Sequence, residues 1–364
     1  MLSLLRGALL PFHNLIMQSA HVQTRRLSKV LLAISLGGIA TAQSGPLVLE
    51  HDGRVISLEP YASNIVRVTM SNDRGAATGA PGYGFIAKPS AEGWTHERDT
   101  EGNDVYRSAR LVVRVVPGDL PEDKLPQPMP LDKLNLQLRD HYFGGRGPHN
   151  DAVLVTTAEG KELLHMRTWA MMPESPEVAQ MDAGQKGHRV SSTFDSPADE
   201  HYYGLGQQQK GWMDLRDHEI RCWHDYAAVG GQDVCVPFMV SSRGYGLVWD
   251  NPSKTTVDLG FNGRNVWSSE VGDRVSYFVI AGNTSDEIYK GYRLLTGTTH
   301  MLPRAVYGYI QSKAIYPTQE QLLDVAKEYR QKNLPLDVMV VDFLNMTKQA
   351  RWTLTLRAGR TQRR

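Results

Sequence analysis

Between residues 45 and 299 the apolar positions come in short alternating or continuous runs, each closed by Gly, Pro, Asn or Asp. Alternation at period two sets one face of an extended chain against a core, and the closing residues supply the backbone geometry that reverses it. The pattern therefore predicts strand after strand, clearest over 65–70, 110–116, 246–249 and 274–280. Asp52-Gly53, Asn251-Pro252 and Asn262-Gly263 mark turns between them. The reading is an all-β region, a sandwich. Residues 117–130 are rich in proline and poor in pattern, which predicts a long surface loop. Residues 284–295 suit one helix, and no internal repeat is visible.

After Pro303 the period changes. Residues 305–311 read as a strand, and Thr318 with Gln321 has capping-box spacing at the head of a helix. Leu322, Val325, Ala326 and Tyr329 then fall at i, i+3, i+4 and i+7, one apolar face toward a sheet. Asn333 can end that helix in a left-handed conformation, and Leu334-Pro335 prevents its continuation. Val338-Met339-Val340-Val341 follows, apolar on both faces as in a buried parallel strand. The unit is β-α-β. From 350 to 364 there are five arginines, no acid and no apolar face, so the parallel layer is expected to stop after two strands, through truncation or a shifted reading frame.

Composition narrows the partners. Lysine and arginine number 40 against 39 acidic residues, so no net field draws nucleic acid or an anionic membrane, and a neutral partner fits better. Cys222 and Cys235 are the two cysteines of the chain; they either pair in an oxidising compartment or sit as small buried hydrophobes. At the amino terminus Arg25, Arg26 and Lys29 precede an apolar run over 30–40, and Ala40-Thr41-Ala42 has the small-x-small pattern of a signal-peptidase site. Cleavage after Ala42 is expected, with Met17 a more usual start than Met1. The run falls short of the roughly 20 residues of an ordinary membrane span. A periplasmic or secreted protein, off the membrane after cleavage, is the expectation.

Chemistry has two candidate places. Asp342 directly follows the apolar run at the carboxyl end of a parallel strand, the edge where ligands bind in open sheets and barrels. A carboxylate there can accept hydrogen bonds from sugar hydroxyls; a helix N-cap or a solvated loop carboxylate is an equal reading of the same residue. The stretch 202–250 is dense in glycine and aromatics, including Trp212, Trp223 and Trp249. Trp223-His224-Asp225 would suit sugar stacking and hydroxyl binding, although tryptophans in a sandwich more often fill the core. No Gly-x-Ser-x-Gly elbow, phosphate loop or His-Glu-x-x-His pair occurs, so no cofactor and no metal are expected.

The motif words and their order resemble glycoside hydrolase family 31. Tyr202-Tyr203-Gly204-Leu205-Gly206-Gln207, the run from Pro237 to Gly246 and Trp249-Asp250-Asn251-Pro252 are similar to its amino-terminal sandwich. Tyr307-Gly308-Tyr309-Ile310-Gln311-Ser312-Lys313 and Leu336-Asp337-Val338-Met339-Val340-Val341-Asp342 are similar to the first two strands of its barrel. The resemblance implies a mostly β chain, a galactose-mutarotase-like sandwich over 43–303, then the first β-α-β unit of an incomplete (β/α) TIM barrel over 304–349. Residues 1–42 form the signal region and 350–364 an off-pattern tail.

It further implies a retaining hydrolase of α-linked glucosides or xylosides, acting on an oligosaccharide or glycoside, with nucleophile and acid/base aspartates on later barrel strands. No catalytic residue is assigned within the chain, which is expected to be inactive alone. Asp225, Asp342 and Phe343 match positions that contact or wall the sugar. Ala314 and Ile315 depart from the pattern and leave substrate preference open, while Gln311-Ser312-Lys313 leans toward the α-xylosidase-like branch. The rival expectation is a non-catalytic carbohydrate-binding sandwich.

Overall fold

The computed structural model describes residues 41–42, 45–118, 151–173, 187–223 and 234–342. In chain order these give β1 (Thr41–Ala42), β2 (Leu47–His51), β3 (Arg54–Ala62), β4 (Ile65–Ser71), helix α1 (Arg74–Ala77), β5 (Thr95–Arg98), β6 (Asp104–Arg107) and β7 (Leu111–Val116). Next come β8 (Ala152–Thr157), β9 (Glu162–Pro173), β10 (His188–Asp195), β11 (Tyr202–Gly204), β12 (Glu219–Cys222), β13 (Phe238–Ser241) and β14 (Tyr245–Trp249). β15 (Thr255–Asp258), β16 (Arg264–Gly272), β17 (Val275–Ala281), α2 (Ser285–Thr296), β18 (Ile310–Lys313), α3 (Gln319–Gln331) and β19 (Val338–Val341) complete the series.

Two antiparallel sheets form the sandwich. Among the described residues one has ten strands in the order β1-β5-β6-β7-β8-β9-β10-β16-β15-β12, the other seven in the order β11-β13-β14-β17-β4-β3-β2. The ten-stranded sheet keeps the alternation of its sequence: in β7 and β16 buried positions alternate with partly exposed ones, as expected of a sheet with one face on a core. The seven-stranded sheet does not. β4, β14 and β17 are buried at every position, because α2 lays Ile288 and Leu295 on the outer face and Phe85 stacks on Phe278 at 4.4 Å. β4 is covered on both sides although Arg67, Thr69 and Ser71 alternate with its apolar residues, so its two-sided burial is not marked by a continuous apolar run.

Local chemistry sets the connections. Asp52 and Gly53 both have positive φ, 48° and 80°, and make a two-residue loop between the paired ends His51 and Arg54, the geometry that matches the twist of a hairpin. Thr284 caps α2 by accepting from the Glu287 amide, and Thr318 caps α3 by accepting from the Gln321 amide. Between the sheets Trp249, Trp267 and Tyr277 stack in the core, and the Trp249 indole donates to Ser269 Oγ at 2.9 Å. The long loop expected over 117–130 lies, from residue 119 on, outside the described residues, as do the signal region over 1–40 and the tail over 350–364.

One strand is shorter than its sequence predicts. Of 305–311, Arg304–Tyr307 form a 3-10 turn, with the Val306 and Gly308 amides donating to the carbonyls of Pro303 and Ala305, and β18 starts at Ile310. Proline pre-sets the turn conformation, and this overrides the strand pattern of Ala305-Val306-Tyr307. β18 and β19 pair in parallel, Ile310 opposite Val338 through Lys313 opposite Val341. Asn333 closes α3 with a φ of 52°. The apolar face of α3 is the predicted one, Leu322, Val325, Ala326 and Tyr329, but no residue of α3 is fully buried and β19 is half-buried throughout. The burial expected of a parallel-sheet strand is not reached, because among the described residues this layer has two strands.

Candidate functional site at the carboxyl edge of the parallel pair

The parallel register ends β18 and β19 at the same level, so Ala314 and Asp342 are the first residues past that edge. Asp342 is half-buried there. The opposite end of the unit is held by the chain's own groups. Asp337 accepts from the Tyr309 amide at 3.1 Å, and Arg330 donates to the Leu336 carbonyl at 3.1 Å. Tyr329 on α3 donates to Gln311 Oε1 at 2.7 Å. These bonds fix strand against helix at the amino end; Asp342 stands just past the carboxyl edge, next to Lys313, whose ammonium is 5.7 Å from the ring of buried Tyr316. A carboxylate accepts and an ammonium donates, so the edge can bind hydroxyls in both senses.

A second structure is built around the arm that leaves the sandwich after β11. Gly204, Leu205 and Gly206 have φ of 98°, 57° and 90°, a run of left-handed residues that turns the chain out of the sheet. The turn is pinned by Leu205 N–H donating to the Phe238 carbonyl at 2.9 Å and by a two-way bridge between Gln207 and Val234, 2.7 and 3.0 Å. Only glycine fits at 206, since a Cβ there would lie 1.9 Å from the Val234 carbonyl oxygen. Further on, β12 pairs with β15, and Cys222 at its end is disulfide-bonded to Cys235. The open question about the cysteines resolves to a covalent tie at the base of the arm.

Trp223 follows that tie immediately and is half-buried, with the Arg221 guanidinium 5.8 Å from its ring centre. His224, Asp225 and Phe343 lie outside the described residues, so of Asp225, Asp342 and Phe343 only Asp342 has a described position. Trp249 belongs to the core, and Trp212 stacks on His218 at 3.7 Å with Lys210 above it at 4.7 Å. The core-filling reading of the tryptophans therefore holds for Trp249.

Sequence reasoning passed over Glu200. Its side chain is 1% exposed and accepts from the hydroxyls of Ser241 and, at 2.8 Å, Tyr245. Burial pushes the Glu200 carboxyl above the usual carboxylate range, against the opposing pull of its hydrogen bonds to Ser241, Tyr245 and Tyr202. The available signal was position: an acid two residues ahead of the Tyr202 motif, with a serine and a tyrosine in the next motif to receive it. Among the described residues no cluster of three or more His, Cys, Asp or Glu could hold a metal ion, and no helix is long and apolar enough to cross a membrane.

Comparison with known proteins agrees with this architecture. The Glycosyl hydrolase 31 N-terminal galactose mutarotase-like domain matches residues 55–258, and the Glycosyl hydrolases family 31 TIM-barrel domain matches residues 299–358. The chain is 38% identical over 162 residues to an alpha-xylosidase of Saccharolobus solfataricus, a stretch covering 43% of this chain and 22% of that protein. It is 25% identical over 314 residues to alpha-xylosidase A of Aspergillus niger, covering 85% of this chain and 39% of that one. Among solved structures, a GH31 alpha-xylosidase from a soil metagenome, complexed with xylose, superposes with a TM-score of 0.62 at 23% identity, over 85% of this chain and 42% of that chain. The last likeness speaks to the fold. The chain spans well under half the length of each of these relatives.

Proposed function

The chain belongs to glycosyl hydrolase family 31, and from that premise we propose that it carries the sugar-facing sandwich and the opening barrel unit of an enzyme that hydrolyses α-linked glucosides or xylosides with retention. The observation that carries the reading is Asp342, half-buried at the carboxyl edge of a parallel pair whose other end is locked by Asp337, Arg330 and Tyr329. The relatives named alpha-xylosidase support the substrate class, and the Gln311-Ser312-Lys313 context of β18 leans toward the xyloside over the glucoside.

Retention needs two carboxylates, one to attack the anomeric carbon and one to act as acid and then base. The family resemblance assigns both to later barrel strands, while the parallel layer described here consists of β18 and β19. We therefore read this chain by itself as a binder of the reacting sugar that does not turn it over, with Asp342 accepting from sugar hydroxyls and Asp225 and Phe343 as further contacts. The same two-stranded layer is what favours the second reading, a non-catalytic carbohydrate-binding protein. Export to an oxidising compartment is part of the proposal, supported by the Cys222–Cys235 disulfide and the signal-like pattern ahead of Gln43.

Titration of the chain with methyl α-xyloside and methyl α-glucoside, followed by NMR, tests the cradle. Saturable binding that Asp342→Asn weakens at least tenfold is expected, with no release of nitrophenol from the matching chromogenic glycosides. Binding untouched by Asp342→Asn would overturn the role of that carboxylate, and turnover that survives repurification would overturn the division of labour.

A further inference from the structure

Two motif segments, one carrying Tyr202 and the other carrying both Ser241 and Tyr245, converge on one buried acid. Glu200 sits in the link between β10 and β11, and its carboxyl accepts from Ser241 at the end of β13 and from Tyr245 at the start of β14. Tyr202 of β11 reaches the same carboxyl, and its hydroxyl is 2.6 Å from Ser196 Oγ. Two of these strands lead to the turn at 204–207: β11 runs into it, and β13, which is laddered to β14, supplies the Phe238 carbonyl that accepts from Leu205. We infer that Glu200 is a proton-controlled latch that joins these segments, and that loss of its proton loosens the 204–207 turn while the β3–β4 ladder stays closed.

The surroundings make the neutral acid the fitting form. Among the described residues no cation forms an ion pair with Glu200. Arg243, whose charge does act on it, is directed to the Glu162 carbonyl at 3.1 Å and to Asp199 at 4.0 Å. Arg216 donates to the carbonyls of Pro197 and Glu200 and to Ser196 Oγ, so it braces the backbone of the link and leaves the carboxyl alone. The remaining charged neighbours, His201 and Asp214, pair with each other at 2.6 Å on the exposed side, and Asp214 also accepts from the amides of Tyr202 and Arg216.

A carboxylate buried among hydroxyls, with no ion-pair partner among the described residues, is disfavoured against the same group in water. Its folded-state proton is therefore held to a higher pH than in an unfolded chain, and stability present at low pH is lost as the pH rises through the folded value. Opening is local because the turn hangs on a few bonds, those of Leu205, Gln207 and Val234, whereas β4 is laddered on both sides. The turn opens the segment that leads from β11 to β12, so the latch governs how firmly the start of that segment is held, while β12 itself is anchored by its ladder to β15 and by the disulfide.

Amide hydrogen exchange on the full chain, from about pH 4 to about pH 9 and corrected for intrinsic chemical rates, reads the latch directly. The amides of Leu205, Gln207 and Val234 are expected to lose at least tenfold protection across the range while those of Val66 and Val68 hold constant. Glu200→Gln is expected to abolish the pH dependence. Tyr245→Phe removes a hydrogen bond that favours the charged form, and is expected to move the loss to higher pH. A wild-type profile flat with pH, one that Glu200→Gln leaves intact, or one shared equally by β4 overturns the proposal. Should Glu200→Gln fail to fold, an unshifted midpoint in Tyr245→Phe overturns it as well.

Discussion

The guanidinium of Arg67 and the carboxylate of Asp250 meet at 3.1 Å, and both side chains are buried. The same carboxylate accepts from Ser276 Oγ at 3.1 Å and from the Gly82 amide at 3.0 Å, while Arg67 also donates to the Gly79 carbonyl at 2.7 Å. The pair thus ties the 79–82 segment to the seven-stranded sheet. Asp250 lies in the Trp249-Asp250-Asn251-Pro252 motif, and its work in this fold is structural.

Removing Asp250 leaves the buried Arg67 with only the part-buried Glu59, 3.5 Å away, as counter-charge among the described residues. Asp250→Ala is expected to lower unfolding free energy by about 3–5 kcal/mol, measured by chemical denaturation at neutral pH. Replacing both, Arg67→Met with Asp250→Leu, should recover a large part of that loss, because neither charge then remains to be neutralised. A single-variant loss under about 1 kcal/mol, the scale of an exposed pair, would show that solvent reaches the site.

The disulfide closes a span of 13 residues between Cys222 and Cys235. In the chain-entropy account a loop of this size limits the unfolded ensemble by about 3 kcal/mol. The double variant Cys222→Ser/Cys235→Ser should therefore melt lower than the wild type, and wild type in reductant should melt where the variant does. If reductant leaves the wild-type melting temperature unchanged, the bond does not form in solution.

The order of elements was readable because each depends on local pattern. Val338-Met339-Val340-Val341 gave a parallel strand, Thr318 a cap, Asn333 a left-handed end, and each stands where the spacing puts it. The region 305–311 misled because Pro303 acts through its carbonyl three residues on, which an apolar run does not reveal. The position of Asp342, directly after β19, was legible for the same local reason. Glu200 was not, since its partners Ser241 and Tyr245 are about forty residues away and converge only once β13 and β14 are paired. Burial itself, here of β4 by α2 and Phe85, is likewise a long-range outcome.

Two glycines with nearly equal φ separate strain from collision. Gly206 has φ 90° and a Cβ there would lie 1.9 Å from the Val234 carbonyl oxygen; Gly160 has φ 89° with nothing within 4 Å. Gly160→Ala should cost about 1–2 kcal/mol, the conformational penalty alone. Gly206→Ala should cost more, because the Gln207–Val234 bridge must also open, and should raise hydrogen exchange at both amides. Equal losses in the two variants would mean that the bridge adds nothing to the turn.

The parallel pair bears on solubility. Tyr307 is 67% exposed, Ile310 and Leu323 remain largely open, and no residue of α3 is fully buried. A two-stranded parallel sheet exposes unpaired N–H and C=O groups along its outer edges, and open edges beside apolar surface template association between chains. The sandwich, by contrast, closes its core without this unit, since its main cluster draws on residues from Leu47 to Ala281. A chain ended after Pro303 should therefore reach a higher soluble fraction on expression than the full chain, with a cooperative melt retained. Equal or lower soluble yield would mean that β18, α3 and β19 protect the sandwich and do not endanger it, and the apolar face of α3 would then have to be covered in solution by the chain's own residues.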